Sequence, residues 1–189
     1  MVNTSDNKAL TGPGAKTRDL VLVSLCTALI AVCSWISIPA AIPFTLQTFA
    51  VFLTVGLIGG KRGSLSVLIY ILLGAFGAPV FANFTGGLGK LLGITGGYII
   101  GLLVAALVMW LIERLIPYGT VMLIISMTAG LIVCYFFGSL WFMFIYARDT
   151  GSIGFVAVLA KCVFPYIPFD TIKIALAIIL CKRLRRFVV

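Results

Sequence analysis

The C-terminal part of the chain contains a long apolar stretch, Cys162-Val-Phe-Pro-Tyr-Ile-Pro-Phe-Asp-Thr-Ile-Lys-Ile-Ala-Leu-Ala-Ile-Ile-Leu-Cys181, with one acidic and one basic side chain. These are Asp170 and Lys173, and a spacing of three residues places both on one face of a helix. A charge at the centre of a membrane span costs about 2.5–3.5 kcal/mol on insertion scales, so such residues usually serve a function. The stretch therefore predicts a membrane helix with a polar site. The two charges can satisfy each other and fix the helix register, or they can bind a polar ligand together.

The composition of the whole chain agrees with a membrane protein. Of its 189 residues, 62% are hydrophobic and only 10% are charged, whereas a soluble domain has about 25% charged residues. The apolar stretches are continuous and long, unlike the alternating pattern of barrel strands. We therefore predict an all-α, polytopic protein that lies in the lipid bilayer.

Six apolar stretches approach the roughly 20 residues that a helix needs to cross a bilayer. We predict transmembrane helices near residues 20–37, 45–59, 64–78, 96–116, 121–146 and 162–181. The second and third are short, and only Gly60-Lys61-Arg62-Gly63 separates them, so we expect a tight hairpin there. Residues 1–19 are polar and lack the pattern of a signal peptide. We assign them to a flexible N-terminal tail and residues 20–189 to one membrane domain.

The basic residues indicate the orientation of the chain. Of the 14 lysines and arginines, Lys173 lies inside the last predicted span, ten fall on one side of the spans, and three, Lys90, Arg148 and Lys161, fall on the other. The positive-inside rule then places both termini in the cytoplasm. Since topology explains the net charge of +9, we do not expect a nucleic-acid partner.

Residue types that support catalysis or metal binding are scarce. The chain has no histidine, and its five cysteines lie in or at the ends of apolar stretches without metal-ligand spacing. Lys90 follows a glycine, but a phosphate-binding P-loop would also require glycine at position 84, which is Phe84, and Ser or Thr at position 91, which is Leu91. With too few acid–base groups for catalysis, we expect no enzyme activity, no metal and no cofactor.

Four segments in one order resemble the BioY family, whose members are the biotin-binding S components of energy-coupling factor (ECF) transporters. The resemblance covers most of the chain from about residue 20 onward. It implies a six-helix S-component bundle in a bacterial cell membrane that holds biotin near the outer face. It also implies a partner ECF module, made of a transmembrane coupling protein and two ABC ATPases that use the ATP. The segments are Pro43-Phe-Thr-Leu-Gln-Thr48, Gly74-Ala-Phe-Gly-Ala-Pro-Val-Phe-Ala82, Thr95-Gly-Gly-Tyr-Ile-Ile-Gly101 and Pro168-Phe-Asp-Thr-Ile-Lys173.

If the ligand is biotin, as the resemblance implies, its polar groups suit the two charges. An ionised Asp170 can accept hydrogen bonds from the ureido N–H groups, and Lys173 can donate to a carbonyl or to the carboxylate. Which charge meets which end of biotin stays open. The other predicted contacts are the polar side chains of Asn83 and Gln47 and the rings of Tyr98, Tyr166 and Trp35.

The resemblance also implies a docking face on the first helix, where S components tend to carry an Ala-x-x-x-Ala pattern. The strict pattern is missing here, and we expect the small pairs Ser24/Ala28 and Thr27/Ala31 to replace it. One alternative function is a stand-alone secondary transporter for biotin or a related small vitamin, in which Asp170 would be the proton or ion site.

Overall fold

The computed structural model describes residues 13–38, 43–149 and 154–188. These ranges form eight α-helices, one 3-10 helix and a two-stranded antiparallel sheet, which confirms the predicted all-α class. The elements in chain order are α1 (Pro13–Trp35), β1 (Ser37–Ile38), β2 (Phe44–Thr45), α2 (Gln47–Ile58), α3 (Gly60–Ala75), the 3-10 helix (Ala82–Phe84), α4 (Leu88–Leu92), α5 (Gly96–Leu115), α6 (Thr120–Asp149), α7 (Phe155–Cys162) and α8 (Ile167–Val188).

Several of these helices can cross a bilayer. In the described part of the chain, α1, α5 and α6 each contain a stretch that is long and apolar enough. Helices α7 and α8 would make a fourth span if they are counted together across their bend of 56°. The chain is thus a multi-pass helical membrane protein. Helices α2 and α3, of 12 and 16 residues, are shorter than the roughly 20 that a span needs, so the count of six spans and the cytoplasmic placement of both termini stay predictions.

The turn between α2 and α3 differs from the predicted hairpin. The prediction placed it at residues 60–63, but these residues form the first turn of α3, and Gly59 alone separates the two helices. Gly59 has φ +87° and ψ 158°, a conformation that residues with a Cβ resist. The neighbouring Gly60 lies against Trp110 of α5, where a Cβ would collide with the tryptophan backbone. One glycine thus makes the turn, and the next lets two helices approach closely.

The last predicted helix begins at the wrong residue. Instead of one helix over residues 162–181, α7 ends at Cys162, four residues form a turn, and α8 runs from Ile167 to Val188. Pro165 lacks an N–H group and disfavours helical backbone in the residue before it. Pro168 lies in the first turn of α8, where a missing N–H group costs little. The two prolines therefore explain why the helix breaks here.

The N-terminal helix also extends beyond its predicted bounds. Helix α1 begins at Pro13, and the boundary that we placed after residue 19 lies inside it. Residues 1–12 of the proposed tail lie outside the described residues.

Helix α2 is at the centre of the bundle, with α1, α3, α5 and α8 packed around it. None of its residues is exposed, and Ala50, Val51 and Phe52 are completely buried. A helix that is apolar all round is stable only where other elements surround it. Because protein surrounds α2 on all sides, the helix does not need the length of a bilayer span. Its N-terminus, at Gln47, lies at the candidate site.

Candidate binding site

A cavity opens at the end of the bundle where α2, α5 and α8 begin. It comprises about 740 Å³ of empty space, its open mouth included. Residues from six α-helices, from the 3-10 helix and from the segments before α2, α5 and α8 line it. They are Pro43, Phe44, Thr45, Gln47, Thr48, Ala82, Lys90, Thr95, Tyr98, Ile99, Leu102, Leu131, Cys134, Tyr135, Cys162, Tyr166, Asp170 and Lys173.

The two charges of the last helix form one wall of this cavity. Asp170 and Lys173 lie in the first two turns of α8 and are only 4% and 5% exposed. Lys173 Nζ is 2.7 Å from Asp170 Oδ1. The position of Asp170 near a helix N-terminus adds a favourable interaction with the helix dipole. The pair is therefore a buried salt bridge that faces open space.

Two other parts of the chain hold this pair in place. Lys173 Nζ donates a hydrogen bond to the backbone carbonyl of Thr45, at 2.7 Å, and lies 4.0 Å from the ring centroid of Phe44. The hydroxyl of Tyr135, in the middle of α6, donates to Asp170 Oδ2. The segment before α2 and the helix α6 thus fix the two charges against each other.

The pair keeps hydrogen-bonding capacity for a ligand. An ammonium has three N–H donors, and two of those on Lys173 are directed to acceptors among the described residues, Asp170 and Thr45. A carboxylate has about four lone-pair positions, of which Lys173 and Tyr135 use two. The two interpretations of the sequence are therefore compatible, since the charges satisfy each other in part and still present a donor and acceptors to the cavity.

Five of the seven side chains that we predicted as ligand contacts line the cavity. They are Asp170, Lys173, Gln47, Tyr98 and Tyr166. The amide of the buried Gln47 donates to the hydroxyl of Tyr70 at 3.0 Å, which leaves its carbonyl oxygen and one N–H for other partners.

The position of the Tyr98 ring depends on a glycine. Gly138 of α6 lies directly against the ring, where a Cβ would collide with it. The Tyr98 hydroxyl is 3.3 Å from Ser139 Oγ. A residue larger than glycine at position 138 would push the ring toward the cavity.

The other two predicted contacts, Trp35 and Asn83, are not among the residues that line the cavity. Trp35 Nε1 donates to the carbonyl of Pro79 at 2.8 Å, and its ring stacks on Phe84 at 5.1 Å. Asn83 has φ +59°, which Asn tolerates better than most residues, and its Oδ1 accepts from Ser37 Oγ at 2.8 Å. Trp35 thus connects the end of α1, and Asn83 connects β1, to the segment around the 3-10 helix. The role of both side chains in binding stays a prediction.

Among the cavity residues that sequence reasoning missed, three have polar groups that matter for the site, namely Tyr135, Thr45 and Lys90. Tyr135 carried a usable signal, because tyrosines of membrane proteins concentrate at the interfaces and a hydroxyl in mid-span needs a buried partner. Thr45 gave no signal, since it acts through its backbone carbonyl. Lys90 was considered only as part of an absent P-loop, yet it is the second cation of the lining.

The predicted docking residues fall on two different faces of α1. Ser24 and Ala28 are exposed, whereas Thr27 and Ala31 are buried. Thr27 Oγ1 lies 2.9 Å from the carbonyl of Val23 and 3.2 Å from that of Ser66 in α3. Thr27 and Ala31 thus pack inside the bundle, and only Ser24 and Ala28 are accessible to a partner.

Comparison with known proteins gives consistent matches over nearly the whole chain. Residues 4–189 match the model of the BioY family. The biotin transporter BioY of Thermotoga maritima is 41% identical over 173 residues, which cover 89% of this chain and 96% of that protein. The probable biotin transporter BioY of Pyrococcus horikoshii is 38% identical over 171 residues, with 90% and 98% covered.

A solved structure has the same fold. It is the crystal structure of the S-component for biotin from an ECF-type ABC transporter, and it superposes with a TM-score of 0.80 at 27% identity. The match covers 93% of this chain and 95% of that one.

Proposed function

This chain belongs to the BioY family, and we propose that it is the biotin-binding S component of an ECF-type transporter. Two of the similar proteins are named as biotin transporters, and the similar structure is that of an S-component for biotin. One observation on this chain carries the proposal. The buried Asp170–Lys173 pair forms a wall of the cavity and keeps both a donor and acceptors for a ligand.

The ureido ring of biotin fits the hydrogen-bonding capacity that this pair retains. One of its N–H groups donates to a free lone pair of the Asp170 carboxylate, while the adjacent carbonyl accepts from the third N–H of Lys173. The same geometry would serve a carboxylate less well, because a second negative charge would lie beside Asp170. We therefore assign the ureido end of biotin to the pair.

The opposite end of biotin then needs a cation of its own. Lys90, on α4, is the other basic residue in the cavity lining, and we assign the biotin carboxylate to it. Between the two ends, the lining has the rings of Tyr98 and Tyr166 and the aliphatic side chains of Ile99 and Leu102. These surfaces suit the thiophane ring and the valeryl chain, since apolar lining with a few placed polar groups is typical of ligand sites.

Import of the bound vitamin would require partner subunits. This chain lacks the P-loop that ATP hydrolysis by that route requires, and we propose that it is not an enzyme and that an ECF module of one coupling protein and two ABC ATPases supplies the energy. Of the residues predicted for docking, Ser24 and Ala28 have the exposure that such a contact needs. The distribution of basic residues supports cytoplasmic termini, with the biotin site toward the outer face.

The decisive experiment is calorimetric titration of the purified chain, without partners, with biotin and with biotin methyl ester. We expect biotin to bind at or below micromolar concentration, and the ester, which lacks the carboxylate charge, to bind more weakly. A Lys90→Gln variant should lose this preference for biotin over the ester. Absence of biotin binding below micromolar concentration would overturn the proposal. Uptake by the chain in cells that lack any coupling module, abolished by an uncoupler, would instead favour a stand-alone secondary transporter.

A further inference from the structure

A second polar pocket lies at the end of the bundle opposite the cavity. It forms where α6 begins and α8 ends, and its open volume is about 780 Å³ with the mouth included. Its basic residues are some 15 positions from Asp170 on α8, which corresponds to about 22 Å along a helix. The lining residues are Tyr118, Gly119, Thr120, Leu123, Cys181, Lys182, Arg185 and Arg186.

The pocket has three positive charges and no negative one. Over residues 13–38, 43–149 and 154–188, the ion pairs are Arg62–Asp19 and Lys173–Asp170. No described carboxylate therefore lies within 4 Å of the charged nitrogens of Lys182, Arg185 or Arg186. Three cations around one concavity repel each other unless an anion lies between them.

Arg185 is positioned for such an anion by an aromatic ring. Its guanidinium carbon lies 3.2 Å from the ring centroid of Tyr118, and the Tyr118 hydroxyl donates to the carbonyl of Gly56 at 3.4 Å. Burial raises the pKa of Tyr118 although Arg185 opposes this effect, so the hydroxyl remains protonated and can donate. The central helix α2 thus fixes Tyr118, and Tyr118 fixes Arg185.

One nitrogen of Arg185 is left without an acceptor. Nη1 is buried and makes no hydrogen bond to any part of the chain that the structure describes. Buried N–H groups of native proteins are nearly always paired, with protein, water or a ligand. Guanidinium groups match the geometry of phosphate oxygens with two parallel hydrogen bonds. Arg185 therefore has donor capacity that a tetrahedral anion would use.

The start of α6 adds backbone donors to the same pocket. The amide N–H groups of Thr120, Val121 and Met122 have no acceptor inside the helix, whereas that of Leu123 donates to the carbonyl of Gly119 at 3.1 Å. A helix N-terminus carries a partial positive charge and binds phosphate well. The neighbouring Gly119 leaves the backbone accessible, because a Cβ there would have only the Pro117 oxygen nearby, at 4.0 Å.

We infer that this pocket binds a phosphate group, between Arg185, Lys182 and Arg186 on one side and the first turn of α6 on the other. The pocket lies at the ends of helices that span the bilayer, where lipid headgroups are found, and basic pockets between such helices bind anionic headgroups. Two sources share this chemistry, namely the phosphodiester of an anionic lipid and free inorganic phosphate. The site is separate from the cavity, and the inference does not depend on which ligand the cavity holds.

The test is native mass spectrometry of the purified full chain with added phosphatidylglycerol, with phosphatidylcholine, or with inorganic phosphate alone. We expect phosphatidylglycerol to be retained and phosphatidylcholine to be lost at the same activation energy. Arg185→Gln should weaken phosphatidylglycerol binding about fivefold, which equals the roughly 1 kcal/mol that one basic residue contributes near an anionic membrane surface. Arg183→Gln is the matched control, because Arg183 is exposed on the same helix and does not line the pocket.

Each outcome decides the inference. Equal losses in Arg185→Gln and Arg183→Gln would show that only net charge matters and would overturn it, as would equal retention of the two lipids. Competition of inorganic phosphate with phosphatidylglycerol would support a phosphate site and favour the free anion as its source. A melting temperature within a few degrees of wild type, measured without added lipid, shows that each variant is folded.

Discussion

The two ends of α8 carry positive charge in two different environments. At its beginning, Lys173 is buried, paired with Asp170 at 2.7 Å and directed to the carbonyl of Thr45. At its end, Lys182, Arg185 and Arg186 have no acidic partner among the described residues. A buried charge is expensive to leave unpaired, so a partner in the chain holds Lys173, and a neutral group such as the ureido ring of biotin can then bind beside the pair. Lys182 and Arg186 are exposed, and the buried Nη1 of Arg185 lacks an acceptor among the described residues, so this end keeps its positive charge for an anion from outside the chain.

The comparison predicts that single changes at the buried end have the largest effect. Asp170→Asn would leave the Lys173 ammonium in the interior without its counter-charge, which costs about 3–5 kcal/mol. We expect the affinity for biotin to fall about 100-fold or more, as measured by calorimetric titration. The matched control is Asp19→Asn, because Asp19 also forms an ion pair, with Arg62, but at an exposed position. Loss of biotin binding in both variants would contradict the expected difference between the buried and the exposed ion pair.

The next effect concerns the support of the pair by α6. Tyr135→Phe removes the hydroxyl that donates to Asp170 and leaves the ring in place. Hydrogen bonds to charged groups contribute about 1.5–3 kcal/mol, so we expect biotin binding to weaken about tenfold to 100-fold. Tyr118→Phe removes a hydroxyl at the other end of the bundle and should leave biotin affinity unchanged. If Tyr135→Phe binds biotin as tightly as wild type, Tyr135 has no part in holding Asp170.

A smaller effect should appear in the reactivity of the cysteines. Cys162 lines the cavity, whereas Cys33 is buried in the core away from it. In variants that keep only one of these cysteines, we expect biotin to slow the labelling of Cys162 by a small methanethiosulfonate reagent several-fold and to leave the rate at Cys33 unchanged. Protection of both thiols to the same degree would indicate that biotin tightens the whole bundle and does not occupy this cavity.

The smallest effect tests whether the two ends of α8 are independent. Substitutions more than about 10 Å apart without shared partners usually add without coupling. Arg185→Gln should therefore change the affinity for biotin less than twofold, while the same preparation loses affinity for phosphatidylglycerol. A large change in biotin affinity would mean that the pocket and the cavity are coupled through α8.

Parts of the fold followed from local sequence. Helix α5 was predicted within one residue of its observed bounds, Gly96–Leu115, because a lipid-exposed helix must be apolar over its whole length. Helix α8 was misplaced at its start because hydropathy does not report a bend, and only the two prolines at 165 and 168 carried that information. The break at Gly59 was missed for a similar reason, since the glycine that adopts a positive φ lies among several others in the sequence.

The candidate site likewise has one part that the sequence predicts and another part that depends on helix packing. The pair Asp170 and Lys173 is visible in the sequence because both residues lie on one helix three positions apart. Tyr135 is 35 residues from Asp170, and Thr45 is 128 residues from Lys173, so their contacts depend on how the helices pack. Trp35 and Asn83 were predicted from residue type alone. In the structure, Trp35 bonds to the carbonyl of Pro79 and Asn83 bonds to Ser37, so neither side chain lines the cavity.

The sequence by itself determined that this protein is a helical membrane protein with a charged pair in its last helix, because the bilayer imposes its requirements on each segment separately. Only the tertiary structure decided which polar groups surround that pair and which face of α1 is accessible. These features arise from contacts between helices that are distant in the chain. Such contacts depend on the shapes of packed side chains, and no local pattern of residue types specifies them.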